Sequence, residues 1–320
     1  MMLDRWPEPA RSTLNATLAT ARPGDIAVFD ADNTLWMDDI TEGMLAWLAH
    51  TGALDVNALA PVLTPLPLRP GETLWSYYQH LCAFSIHVGY LWAVQVFAGF
   101  TVRELRDALH SMLDHGAPIP VAALGHGAQQ PGHVPIPRPY ARMRELISAL
   151  HDVGVACWIV SASHEELVRL LASDPVRGLG IPPDRVCGVN LLLQGPDDMD
   201  WGARARQEGR SPWTEASWLD RRLTAHPVAP LTWYEGKVAA VRTWISPTAR
   251  PILAAGDSTN DVPMQLLVDP RRGTRLRIRR QPGSDAATAR AIAARHGSDA
   301  EAGWLAVTPA ELGAGEPTVG

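Results

Sequence analysis

The stretch Ile26-Ala27-Val28-Phe29-Asp30-Ala31-Asp32-Asn33-Thr34 sets four apolar residues against a polar cluster holding two carboxylates two positions apart. A short, continuous apolar run bounded by turn residues predicts a strand buried on both faces of a parallel sheet. Three more runs repeat the pattern: Ala156-Cys157-Trp158-Ile159-Val160, Ile252-Leu253-Ala254-Ala255 and, less sharply, Val186 to Val189. Helical stripes lie between them. Met143, Leu146, Ile147 and Leu150 share one face, with Pro139 ahead as a start signal and Gly154 behind as a stop. This alternation predicts an α/β fold: a Rossmann-like open parallel sheet with helices on both faces.

Residues 38–139 break the alternation. Helical apolar patterns at 40–49, 74–100 and 105–113 are separated by stretches rich in proline and glycine at 60–71 and 116–139. No strand pattern shows among them. The expectation is an inserted all-helical domain over 38–139, with the α/β core built from 1–37 and 140–320. Residues 194–230 are polar and rich in tryptophan without a clear period, and the tail past Ile278 is equally uninformative.

A chain of 320 residues, 46% hydrophobic and 19% charged, can bury a sizeable core. A net charge of −6 opposes a nucleic-acid partner, which calls for clustered positive charge. The one basic run, Arg271 to Arg280, alternates arginine with Leu276 and Ile278 and predicts a half-exposed strand. Cys82, Cys157 and Cys187 are far apart and form no CxxC pair, as expected of buried thiols in a reducing compartment. The longest apolar region, Tyr77 to Phe100, is interrupted by Gln79, His80, His87 and Gln95, so it predicts a buried helix pair and no membrane span. No apolar stretch of signal-peptide length follows Met1, and the expected location is cytoplasmic, with no membrane partner.

In an open parallel sheet, ligands gather at the carboxyl ends of the strands. The polar clusters after the apolar runs would therefore converge: Asp30 to Thr34, Ser161-Ala162-Ser163 and Gly256-Asp257-Ser258-Thr259-Asn260-Asp261, with Gly236-Lys237 opening a helical run between the last two. Each residue type has a chemical use. A carboxylate such as Asp30 can attack phosphorus and divide one hard hydrolysis into two easier steps. Asp32, two positions on, can protonate the leaving oxygen and later take a proton from water. Carboxylates packed together need a hard cation, and oxygen ligands beside phosphate select Mg²⁺. The hydroxyl of Ser161 and the ammonium of Lys237 can hold phosphoryl oxygens.

Together these four stretches resemble the haloacid dehalogenase-like superfamily. The resemblance implies Asp30 as nucleophile and Asp32 as general acid and base. It implies Mg²⁺ held by Asp30, the main-chain carbonyl of Asp32 and Asp257, with Asp261 in support. A helical insertion directly after the first motif resembles the family's first-loop cap. Because dehalogenases lack a carboxylate at the place of Asp32, the chain resembles the phosphatase branch. The run Gly256 to Asp261 and the helical cap look like phosphoserine phosphatase relatives. There, however, Ser-Gly-Gly is usual where this chain has Ser161-Ala162-Ser163, and Asp39 stands where a substrate-binding glutamate is expected. No arginine occurs between Arg69 and Arg103 to meet a substrate carboxylate. The Ser-Ala-small motif, the long cap and Trp233-Tyr234-Glu235-Gly236-Lys237 look closer to bacterial phosphorylcholine phosphatases.

The expected function is Mg²⁺-dependent hydrolysis of a small phosphorylated metabolite, phosphocholine-like or phosphoserine-like. A silent phospho-ligand binder and a phosphotransferase on the same scaffold are the alternatives. Asn33, Thr34, Asp39, Glu42, Trp75, Ala162, Ser163 and Asn260 are expected to bind the substrate. Asp38 and Glu72, with Trp36, Tyr77 and Tyr78, extend the acidic and aromatic character of that region, which suits a quaternary ammonium.

Overall fold

The computed structural model describes residues 3–125, 128–248, 250–296 and 303–314. The chain begins with α1 (Ala10–Thr20), β1 (Ile26–Phe29) and β2 (Trp36–Met37). Then come α2 (Ile40–His50), α3 (Leu74–Phe84), α4 (Ile86–Gln95), α5 (Val102–His115), β3 (Ile119–Gly125), β4 (Ala128–Val134) and β5 (Arg138–Pro139). The middle holds α6 (Ala141–Asp152), β6 (Ala156–His164), α7 (Glu165–Ala172), β7 (Val186–Gln194), β8 (Met199–Asp200), α8 (Gly202–Gln207), α9 (Ala216–Leu219) and β9 (Arg222–Val228). Last are α10 (Glu235–Ala240), β10 (Leu253–Gly256), α11 (Val262–Gln265), β11 (Thr274–Ile278), α12 (Pro282–His296) and β12 (Trp304–Val307).

Strands β12, β11, β10, β1, β6 and β7 lie side by side in that order, each parallel to its neighbours. Successive side chains point to opposite faces. Ala27, Phe29, Ile159, Leu253 and Ala255 accordingly join one buried cluster with Leu14 of α1 and Leu146 of α6. Val28, Val160 and Ala254 join another, with Ala240 of α10, Trp244 and Met264 of α11. Both faces are covered, which is why these runs hold no polar residue. From β1 the sheet grows one way through β6 and β7 and the other way through β10, β11 and β12. The β1/β10 boundary is therefore the switch point where a crevice opens.

Segment 38–139 leaves and re-enters through a short antiparallel pair, Trp36 opposite Pro139 and Met37 opposite Arg138. It is not all-helical. Strands β3 and β4 form a hairpin in register from Ile119–Val134 to Gly125–Ala128 and pack beside α2 and α3. Pro120, Pro131 and Gly132 hide it by breaking the alternation of a half-buried strand. The basic run also differs from its expectation. Strand β11 is paired on both sides, with Thr274, Leu276 and Ile278 buried, so it is an inner strand and not half-exposed. The uninformative tail supplies α12 and β12, and 194–230 supplies β8 and β9, antiparallel to β7. Strand β9 and the residue ahead of it also fasten segment 38–139: Gly99 N donates to Leu223 O, Leu223 N to Phe100 O and Val102 N to Arg221 O. Cys157 and Cys187 are buried free thiols, and Cys82 is a half-buried one. Among the described residues no helix is long and apolar enough to cross a membrane.

Candidate active site

Beyond β1 the chain turns at once, with Leu35 N donating to Ala31 O at 2.7 Å. Asn33 takes a left-handed conformation, φ 58°, which asparagine tolerates better than most side chains. The turn presents Asp30, Asp32 and Asn33 to a cavity of about 390 Å³. Ser161, Ala162 and Ser163 near the end of β6 line the same cavity, as do Asp257, Ser258, Thr259 and Asn260 past β10. Asp30 N donates to Ala255 O at 2.9 Å, so the first and last of these loops are tied across the switch point.

Under this floor lies Lys237, fully buried, with Nζ 2.6 Å from Asp30 Oδ1 and 2.6 Å from Asp261 Oδ1. Burial alone would discharge the ammonium, but the Asp261 and Asp30 carboxylates outweigh it and lift its pKa above the usual lysine value. The first turn of α10 demands glycine beside Lys237, since a Cβ at Gly236 would stand 1.7 Å from Leu231 O. Gly256 is fixed likewise: a Cβ there would meet Asp261 Cβ at 2.3 Å. Asp261 Oδ2 accepts from Asp257 N at 3.1 Å, Ser258 N at 3.0 Å and Ser258 Oγ at 2.9 Å, and so shapes the last loop.

Burial, then the negative Asp261 nearby, raises the pKa of both Asp30 and Asp257. Asp32 is pushed up to about 7, chiefly by burial and then by Asp39. Carboxylate oxygens of Asp30, Asp257 and Asp261 all lie within 4.8 Å of one another, and all three residues are buried. Such crowding, only partly met by Lys237, fits a hard divalent cation bound through oxygen. Arg280 sets its Nε 2.6 Å from Asp257 Oδ2 and lines the cavity.

The opposite wall comes from segment 38–139 and the loop before α10. Asp39 and Glu42 line it with Tyr78, Ile86, His87, Tyr90, Trp233 and Tyr234. Asp39 Oδ1 caps α2 by accepting from Thr41 N at 2.8 Å and Glu42 N at 2.9 Å, and Tyr78 donates its hydroxyl to Glu42 Oε1 at 2.7 Å. Burial is the main cause that raises the pKa of Asp39 and of Glu42. The His87 ring stands 5.7 Å from that of Trp233 and 6.2 Å from that of Tyr234, joining α4 to the loop.

Not every expected residue reaches the cavity. Thr34 is fully buried, its hydroxyl donating to Asp30 Oδ2 at 3.3 Å. Trp75 stands outside the lining and packs on Tyr78, ring centres 5.5 Å apart. Glu72 caps the turn at Arg69 N and faces His80 Nδ1 at 2.9 Å. Tyr77 bonds to Leu66, and Trp36 is wholly buried with its Nε1 on Asp32. Ile86, His87, Tyr90 and Arg280 were missed by sequence reasoning. Ile86, Tyr90 and Ala93 recur at helical spacing on α4, but such a stripe reads equally well as core.

A scan against protein-family profiles finds no match. Over 261 residues the chain is 37% identical to the phosphorylcholine phosphatase of Pseudomonas aeruginosa, covering 80% of this chain and 75% of that one. A solved structure of a protein of unknown function from Anaerococcus prevotii superposes with a TM-score of 0.60 at 18% identity, over 92% of this chain and 91% of the other. Another of unknown function, from Bordetella pertussis, gives 0.54 at 16% identity over 91% and 100%. These two share the fold. The identity to the Pseudomonas enzyme, found in a chain that brings Asp30, Asp32, Ser161 and Asp257 to one cavity over a buried Lys237, places function as well as fold. The chain belongs to the haloacid dehalogenase-like phosphatases, in the family of that phosphorylcholine phosphatase, and is a phosphomonoester hydrolase.

Proposed function

We propose that the enzyme uses Mg²⁺ and an aspartyl-phosphate on Asp30 to hydrolyse a small phosphomonoester whose leaving group ends in a cation, phosphocholine being the simplest. The carrying observation is the wall facing the floor. It offers two carboxylates, Asp39 and Glu42, among the rings of Tyr78, Tyr90, Trp233 and Tyr234. Burial raises the pKa of both carboxylates; a cation settling beside them attracts the ionised form and draws those values back down. Each aromatic face adds about 0.5–2 kcal/mol for a quaternary ammonium. A phosphoserine-like substrate would bring a carboxylate to this acidic wall, and the guanidinium of Arg280 is already paired with Asp257.

In the first half-reaction Asp30 attacks phosphorus while Asp32 gives its proton to the leaving oxygen. In the second, Asp32 takes the proton of the water that attacks the acyl phosphate. Ser161 offers a hydroxyl to the phosphoryl group, and Lys237 opposes the rise in the Asp30 pKa and holds that carboxyl in place. Mg²⁺ would be held by Asp30, the carbonyl of Asp32 and Asp257, with Asp261 in support; when bound it would screen carboxylates from phosphate so that the two anions can meet. Segment 38–139, entered through the Trp36–Pro139 neck, serves as the cap that reads the leaving group.

The test compares phosphocholine, phosphoserine and para-nitrophenyl phosphate, each with chelator and with Mg²⁺ restored. Phosphocholine should have the highest kcat/KM, and chelation should stop all three. A preference for phosphoserine would overturn the cationic assignment.

A further inference from the structure

The second motif carries an extra hydroxyl, Ser163, which deepens the phosphatase reading and rests on it. A carboxylate offers four acceptor directions, two on each oxygen. On Asp32, Oδ1 accepts from Trp36 Nε1 at 2.7 Å and from Ile40 N at 2.9 Å. Oδ2 accepts from the Ser163 hydroxyl. Among the described residues, three donors thus take three directions, and the open one lies on Oδ2. Asp32 also lines the cavity. The proton that Asp32 delivers must therefore sit on Oδ2, the oxygen that Ser163 holds.

We propose that Ser163 is the positioning residue that aims the Asp32 proton at the leaving-group oxygen. Trp36 and Ile40 grip one side of the carboxyl, and Ser163 grips the other, so the group cannot swing about its long axis. Ser163 is itself placed: it is 5% exposed, and its N donates to Ser161 Oγ at 3.1 Å. The Ser161-Ala162-Ser163 motif thereby serves both halves of the chemistry, the phosphoryl group through Ser161 and the acid through Ser163.

In the step concerned, the bond from Asp30 oxygen to phosphorus forms and the bond from phosphorus to the leaving oxygen breaks. The proton passes from Asp32 Oδ2 to that oxygen, and Asp32 is left as a carboxylate. Ser163 keeps its own proton and its hydrogen bond. Phosphoryl transfer has a loose transition state with much charge on the leaving oxygen. Misaiming the acid must therefore harm poor leaving groups and nearly spare good ones.

The experiment measures kcat/KM for a series of substituted phenyl phosphates, from para-nitrophenyl, a good leaving group, to unsubstituted phenyl, a poor one. This parameter covers events up to the first irreversible step, so the later attack by water does not mask the effect. Ser163→Ala should lose at least about 10-fold more on phenyl than on para-nitrophenyl phosphate, since general acid catalysis as a whole contributes about 10²–10⁴-fold. Ser163→Thr, which keeps a hydroxyl, should recover most of the difference. Ser163→Gly removes the same hydroxyl with less crowding and must tilt the series the same way, which guards against a folding defect in the alanine variant. An equal loss across the series, or none, overturns the proposal. A wild-type enzyme inactive on the whole series would instead count against the phosphatase reading.

Discussion

The floor and the wall of the cavity are built on different principles. On the floor, buried groups are bonded to each other: Lys237 bridges Asp30 and Asp261, and Asp261 holds the backbone of Asp257 and Ser258. On the wall, apart from the Asp39 cap and the Tyr78–Glu42 bond, partly exposed apolar and aromatic side chains dominate; Ile86, Tyr90 and Tyr234 are 44%, 40% and 38% exposed. A buried ionic network loses several kcal/mol when one member is removed, because the partner is left charged and unmet. Half-exposed rings contribute in smaller, separable amounts. On the function proposed above, chemistry is locked into the sheet while recognition rests on side chains that can change without dismantling it.

The largest effect should come from the floor. Asp30→Asn should abolish turnover with the fold retained, and Asp32→Asn should lose about 10²–10⁴-fold, both read by kcat at saturating substrate alongside circular dichroism. Measurable turnover by Asp30→Asn at more than a small fraction of wild type would erase the distinction between the regions. Next comes the cation. Chelation should stop activity, Mg²⁺ should restore it, and Asp257→Ala should raise the Mg²⁺ concentration needed by at least about 10-fold, since ligand loss weakens a metal site strongly. Full activity in excess chelator would show that the carboxylate cluster holds no cation.

The wall should respond in KM. Glu42→Gln should raise KM for phosphocholine about 3- to 30-fold with little change for para-nitrophenyl phosphate, the mark of lost uniform binding. Trp75→Ala sharpens the contrast. As Trp75 packs on Tyr78 outside the cavity, the variant should lower thermal stability, by about 1–2 kcal/mol, and leave KM within about twofold. A large KM rise in Trp75→Ala alone would return that side chain to the substrate.

The smallest effect lies far from both regions. Arg272 grips Asp25 with two nitrogens, at 2.5 and 2.6 Å, and this hydrogen bonding lowers the Asp25 pKa. A depressed carboxyl contributes stability above its unfolded value, about 3.9, and loses it as pH falls through the lower folded value. Asp25→Asn should cost about 1 kcal/mol near neutral pH, about 2 °C in Tm, and the gap to wild type should close in acid. A gap that widens as pH drops would reverse the sign of the linkage.

What could be read in advance follows the same division. Ile26 to Phe29 and Ile252 to Ala255 were legible because a strand covered on both faces can hold only apolar residues, and catalytic loops follow such strands directly. Lys237 and Asp261 were legible through the resemblance of the four polar stretches taken together, and the structure joins the two side chains at 2.6 Å. Arg280 was not, since it ends a run whose arginine–aliphatic alternation describes a strand and says nothing of what lies past its end. The β3–β4 hairpin was concealed by Pro120, Pro131 and Gly132, which a lone two-stranded pair tolerates and a central strand does not. In segment 38–139, composition announced aromatic and acidic character, and the expectation fell on Trp75 where the structure sets Tyr90 at the cavity. Which ring turns toward the cavity depends on how α3 and α4 pack, and that is a tertiary fact.

The most direct test of the central claim is to catch the covalent intermediate. The enzyme is quenched with acid during turnover, digested, and its peptides are weighed by mass spectrometry, with borohydride reduction to mark any acyl phosphate. A phosphoryl group on Asp30, absent from Asp30→Asn, is the predicted result. A steady-state enzyme with no covalent phosphate, or with phosphate on any residue other than Asp30, would contradict it.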